Sequence, residues 1–264
     1  MNWHRVGALI LRYTFLYTRS VPRILEMFFW PVMDLLVWGF LTMYLLKAGK
    51  AVPSYIKFLI GSMIFWDILY RSQQGVTISF LEDIWARNLL NVFVSPIRVS
   101  EFIAATYVVG FIKIIVIVAL LTVLAYSLYS FNLLAMGISL IPLFINLLLM
   151  GWAIGMMTTA LIMRWGQSAE ALAWGIPFLI QPVCAVFYPL SILPKWLQPI
   201  SLAIPATHVF EGMRQVLENK GMPVGHLWAA FGLNLLYLAA GALIFSRMFN
   251  VARRKGLLAK LGTQ

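Results

Sequence analysis

Residues 133–163 read LLAMGISLIPLFINLLLMGWAIGMMTTALIM, thirty-one positions without a charge. A helix crosses a bilayer with about 20 apolar residues, so this stretch is long enough to span with some tilt. Gly151 and Gly155 stand in a GxxxG spacing, which lets a neighbouring helix come close. Outward from it lie five more apolar stretches of spanning length, at 24–46, 55–78, 102–126, 169–193 and 227–249. Hydrophobic residues make up 62% of the 264 and charged residues 11%, against about 45–50% and about 25% in soluble domains. Mean hydropathy is +0.88. The sequence is therefore read as an all-α membrane protein with six transmembrane helices. Continuous apolar runs exclude a membrane β-barrel, which reads as short alternating segments. The loops between these spans leave no room for a soluble catalytic domain.

Net charge is +11, from 20 Lys and Arg against 9 Asp and Glu. The basic residues gather at span ends, where they set topology and meet anionic headgroups, so membrane lipids rather than nucleic acid are the expected partners. With the N-terminus inside, thirteen cations fall on inner segments and six on outer ones, with Lys113 inside a span. The positive-inside rule then places both termini in the cytoplasm. Arg71 counts among the inner cations, Lys50 and Arg214 among the outer, and Lys260 among the inner. Cys184 is the sole cysteine, and His4, His208 and His226 are scattered along the chain, so no metal site is expected.

Residues 1–22 precede the first span. Trp3, Val6, Ile10, Tyr13 and Tyr17 fall on one face of a helix, and Arg5, Arg12 and Arg19 lie away from that stripe. This pattern predicts a helix lying in the membrane interface, aromatics in lipid and arginines toward phosphates. Between the second and third spans comes FLEDIWARNLLNVFVSPIRVSEF, 80–102. It predicts an amphipathic inner helix over 80–98, Ile84, Leu90 and Phe93 on one side and Glu82, Asp83 and Arg87 on the other, stopped at Pro96. Prolines at 177, 182, 189, 194, 199 and 205 break the chain beyond the fifth span's start. The stretch LPKWLQPISLAIPATHVF, 193–210, reads as short helices that dip into the outer leaflet and return.

Asp34, Asp67 and Lys113 fall about 15–16 Å into their spans at 1.5 Å per residue. Ionisable groups at that depth face a cavity or one another. The expectation is that Lys113 neutralises one aspartate while the other borders a polar path. Gln73 and Gln74 on the second span and Gln181 on the fifth add polar positions to that path. No phosphate-binding loop, zinc-protease or nucleophile-elbow motif occurs, so uphill transport needs a partner or an ion gradient.

Two motifs carry a family resemblance. LEDIWARNLLNVFVSPIRVSEFIAA, 81–105, resembles the stretch of ABC-2 type permeases from coupling helix into third span. FYPLSILPKWLQPISLAIPATHVFEGMR, 187–214, resembles their signature before the last span, with its E-x-x-R ending. The resemblance is to the small drug, nodulation-factor and polysaccharide exporter subunits and covers essentially the whole chain as one transmembrane domain. It implies a permease of a bacterial inner membrane that pairs with a second copy of itself and with two copies of a separate ATPase. That ATPase would carry ATP and magnesium; this chain would hold no cofactor and catalyse nothing itself. Glu82, Asp83, Ile84, Arg87, Leu90 and Phe93 would contact the ATPase. Asp67, Gln73, Gln74 and Gln181 would line the path, and Leu193, Trp196 and Leu197 would close the outer gate. The cargo would be amphipathic or lipid-linked, moved outward. The rival reading is a gradient-driven secondary transporter or channel built on Asp34, Asp67 and Lys113. Broken helices only in the second half count against it, because secondary transporters interrupt both halves alike.

Overall fold

The computed structural model describes residues 1–49 and 53–256, and of residues 53–56, 89, 90, 93 and 167 the backbone alone. Lys50, Lys260 and the side chains of Leu90 and Phe93 lie outside the described residues. The helices are α1 (Trp3–Thr18), α2 (Val21–Lys47), α3 (Pro53–Trp85), α4 (Leu89–Val94), α5 (Val99–Tyr129), α6 (Leu140–Trp165), α7 (Ala171–Ile180), α8 (Gln198–Leu202), α9 (Pro205–Leu217) and α10 (Val224–Arg254). A 3₁₀ turn, Leu133–Ser139, leads into α6.

Among the described residues, four helices are long and apolar enough to cross a membrane: Val21–Lys47, Val99–Tyr129, Leu133–Trp165 and Val224–Arg254. The chain is thus a multi-pass membrane protein. α3 has 33 residues, about 50 Å at 1.5 Å per residue, but it is the polar helix of the bundle. Ser72, Gln73, Thr77, Glu82 and Asp83 are all buried on it.

The layout expected from sequence changes at two places. The span drawn over 169–193 is not one helix: α7 stops at Ile180, and turns follow. Pro177 already sits inside α7, and Pro182 and Pro189 supply no backbone donor, so the ladder cannot continue. Ten residues reach only about 15 Å, half of a bilayer core. The inner helix drawn over 80–98 divides as well. α3 runs on through Trp85, and a turn at 86–88 with Arg87 at φ 52 separates it from α4. α3 outlasts the apolar run because Phe80, Leu81 and Ile84 are buried in protein rather than in lipid.

Lipid is as apolar as leucine, so close backbone approach and hydrogen bonds must hold such helices together. The GxxxG pair provides the approach. A Cβ on Gly151 would lie 2.4 Å from Ser72 Cβ, and one on Gly155 2.7 Å from the Gln73 carbonyl oxygen. On the facing side of α3, Gly75 meets Gly110 of α5, where a Cβ on either would lie 3.2 Å from the other's Cα. α10 is tied to α6 by Asn234, whose amide donates to the Asn146 backbone and side-chain oxygens at 2.9 Å.

Two buried clusters fill the ends of the bundle. One joins Phe65, Leu69, Leu121, Phe131, Leu147 and Phe210 near the hairpin that α8 and α9 form. The other joins Val6, Leu9, Tyr13, Phe80, Phe102 and Phe249 where the first and last helices meet. We call these the hairpin end and the termini end.

Candidate functional site

At the termini end, α1 clasps the C-terminal turn of α3. Tyr13 donates its hydroxyl to Asp83 Oδ2 at 2.7 Å, and Tyr17 donates to Glu82 Oε1 at 2.7 Å. Arg12 pairs with Asp83 Oδ1. Burial, reinforced by the neighbouring carboxylate, pushes the Tyr13 and Tyr17 phenols well above their ordinary range, so both remain proton donors at any physiological pH. Lys113 of α5 completes the group, its Nζ 3.1 Å from the centre of the Tyr17 ring. A second tie lies beside it. The Asn2 backbone N–H donates to Glu101 Oε1 at 2.7 Å, while Glu101 Oε2 accepts from the Arg98 N–H at 2.9 Å and caps α5. Arg5 reaches the Pro96 carbonyl and comes within 3.8 Å of Glu101.

This overturns the expectation that the aromatic stripe of α1 lies in lipid. Tyr13 is fully buried and Val6 and Leu9 nearly so, while Trp3 is exposed. Periodicity finds an apolar face but not what covers it; a buried phenol needs a partner, and the carboxylates of α3 supply it. Among the predicted contact residues, Glu82, Asp83 and Ile84 are buried in the clasp, and Arg87 stands exposed on the turn.

The intramembrane trio does not assemble. Asp67 pairs with Arg71, whose Nε donates to Oδ2 at 2.7 Å, whereas Lys113 turns its Nζ onto the Tyr17 ring, within electrostatic reach of Glu82 and Arg71 but paired with neither aspartate. Arg71, counted as a loop charge, is thus mid-helix, which leaves twelve inner cations of the thirteen. Asp34 lies exposed on α2, within electrostatic reach of Asp67 and Arg71. Asp67, Tyr70, Arg71 and Gln74 recur at i, i+3, i+4 and i+7, one stripe of α3. Tyr70 leans on Phe178 of α7, ring centres 5.5 Å apart. Gln73 faces the other way, fully buried, and donates to the Ala173 carbonyl at 3.2 Å. Gln181 is half-buried where α7 gives way to turns.

At the hairpin end, the E-x-x-R pair of α9 holds the turns that follow α7. Arg214 Nη1 donates to Glu211 Oε1 at 2.5 Å, and its Nη2 donates to the Ala185 and Tyr188 carbonyls. Glu211 Oε1 also accepts from the Leu190 N–H at 2.7 Å. Counted as an outer loop cation, Arg214 is in fact buried, its guanidinium 4.4 Å from the centre of the Phe58 ring. Of the expected gate residues, Leu193 is buried, Leu197 half-buried and Trp196 exposed at 71%.

Comparison with known proteins agrees with the resemblance. A family model described as ABC-2 family transporter protein matches residues 40–248. ABC transporter G family member 20 of Dictyostelium discoideum is 25% identical over 193 residues, 72% of this chain and 26% of that protein. The chain therefore spans about a quarter of the length of that relative.

Proposed function

The chain belongs to the ABC-2 family of transporter proteins, and from that premise we propose that it is the permease subunit of an exporter. Family membership makes it the membrane component, and an ATPase is the partner such a component requires. Two permease copies and two ATPase copies form the working unit in this reading. Both termini face the cytoplasm of a bacterial cell, and ATP and magnesium reside on the ATPase.

The observation that carries the reading is the clasp. ATP binding draws the ATPase subunits together, and the nearest permease surface is the turn with Arg87 and the short α4. Asp83 and Glu82 lie one turn back on α3 and are gripped by Arg12, Tyr13 and Tyr17. A push on the turn therefore moves α1 and α3 as one body, a rigid-body transition of the kind that couples sites in switching proteins. In this role Glu82 and Asp83 hold the coupling surface in place instead of touching the ATPase, and Arg87 does the touching.

The stripe of Asp67, Arg71 and Gln74 then borders the path, with Asp34 across from it. Phe29, Trp30 and Phe178 are exposed on the flanking helices, so apolar walls surround a charged spot. That composition suits an amphipathic or lipid-linked cargo with a charged head. The hairpin end, with Leu193, Trp196 and Leu197, closes the outer gate.

The experiment is gentle solubilisation of the tagged chain from its native membrane, followed by mass spectrometry of the intact complex. A co-purifying ATPase at one copy per permease supports the proposal. A homo-oligomer that never retains an ATPase, across several detergents and nanodiscs, overturns it.

A further inference from the structure

The sequence reading left the histidines apart, yet two of them meet at the hairpin end. His208 of α9 and His226 of α10 place their Nδ1 atoms 3.4 Å apart. His208 Nε2 lies 2.9 Å from the Leu202 carbonyl at the end of α8. A carbonyl only accepts, so Nε2 carries the proton and Nδ1 of the neutral ring keeps its lone pair. A backbone carbonyl that fixes the tautomer in this way is the usual companion of a metal-ligating histidine.

We propose that His208 and His226 bind a borderline divalent metal ion, zinc foremost, that staples α9 to the start of α10. The separation is one that a bridging ion fits. Two zinc–nitrogen bonds of about 2.0–2.1 Å at a tetrahedral angle set their nitrogens roughly 3.3–3.4 Å apart. Both rings are half-buried on an open cleft of about 510 Å³ that Gln215, Met222 and Gly225 also line, so an ion can enter and water can fill its remaining positions. Three short elements, α8, α9 and the head of α10, are joined through this single point.

The test uses the full chain with an affinity tag free of histidine, so that His4, at the opposite end of the bundle, serves as the internal control. Zinc binding is measured by calorimetry in wild type and in His208→Ala, His226→Ala and His4→Ala. The expected result is a single zinc ion per chain, bound at least about tenfold more weakly by either of the first two variants and unchanged in the third. Cobalt added to wild type should give the visible absorption of a low-symmetry site with imidazole ligands, a readout that does not depend on any variant folding. Zinc binding that His208→Ala and His226→Ala leave intact, or a wild type that takes up neither ion, overturns the proposal.

Discussion

Asp83 and Asp67 lie on the same face-spanning helix, yet their surroundings differ. Asp83 is saturated: Arg12 takes one oxygen and Tyr13 the other, and no part of it is exposed. Asp67, also buried, pairs among the described residues with Arg71, four residues on in its own helix, and lies near an exposed second carboxylate, Asp34. A carboxylate with both oxygens engaged by another element holds that element in place. A carboxylate paired within its own helix leaves its outer side for something else. The first arrangement joins parts of the protein, and the second, in the proposed reading, borders the path.

The contrast is broken most directly at Asp83. Asp83→Ala leaves the Arg12 guanidinium and the Tyr13 hydroxyl without their acceptor, at a cost of about 3 kcal/mol. It should lower the melting temperature of the purified permease, and α1 should become accessible to protease. Next is the seam that seats α3. Gly155→Leu forces a side chain against the Gln73 carbonyl, where a Cβ alone would stand at 2.7 Å, and should cost about 2 kcal/mol by overpacking. Asp67 is buried too, but Asp67→Asn keeps an oxygen for the Arg71 Nε, so it should cost about 1–2 kcal/mol, less than Asp83→Ala, while reducing transport in reconstituted vesicles. Equal melting shifts for Asp83→Ala and Asp67→Asn would erase the distinction. Smallest in stability is Arg87→Glu on the exposed turn, within about 0.5 kcal/mol of wild type. Its effect should appear as loss of ATPase stimulation by cargo, and a stable variant with full stimulation would remove Arg87 from the coupling surface.

Much of the fold was legible because the bilayer demands long apolar helices, and Leu133–Trp165 or Val224–Arg254 satisfy that demand from local composition. α3 was read only in part. Its tail past residue 78 carries two carboxylates and stays in the bundle because Phe80, Leu81 and Ile84 are buried and Tyr13, Tyr17 and Arg12 answer Glu82 and Asp83, partners some 65–71 residues away. Proline spacing did announce the break after α7, but a span was drawn through Pro177 and Pro182 nonetheless. At the site, the sequence assigns Glu82 and Asp83 to the ATPase contact, while the tyrosines that hold them are assigned to lipid and Arg12 to phosphates. The pairing of His208 with His226 left no local trace, since 18 residues and a helix boundary separate them. Arg71 could have been found: a cation four residues after an aspartate in an apolar helix is an ion-pair spacing.

α3 has no proline and no break between Asp67 and Asp83, which stand about 24 Å apart along its axis. An unbroken helix of that length acts as a stiff rod, not a spring. In the proposed reading, displacement applied at one point is carried to the other along the rod. The two carboxylates are in this sense one mechanical part, and the molecule has no slack between them in which a stroke could be lost. What remains adjustable is friction: the grip of α1 at one end and the glycine seam along the shaft set how much load starts the stroke, while its length is fixed by the rod.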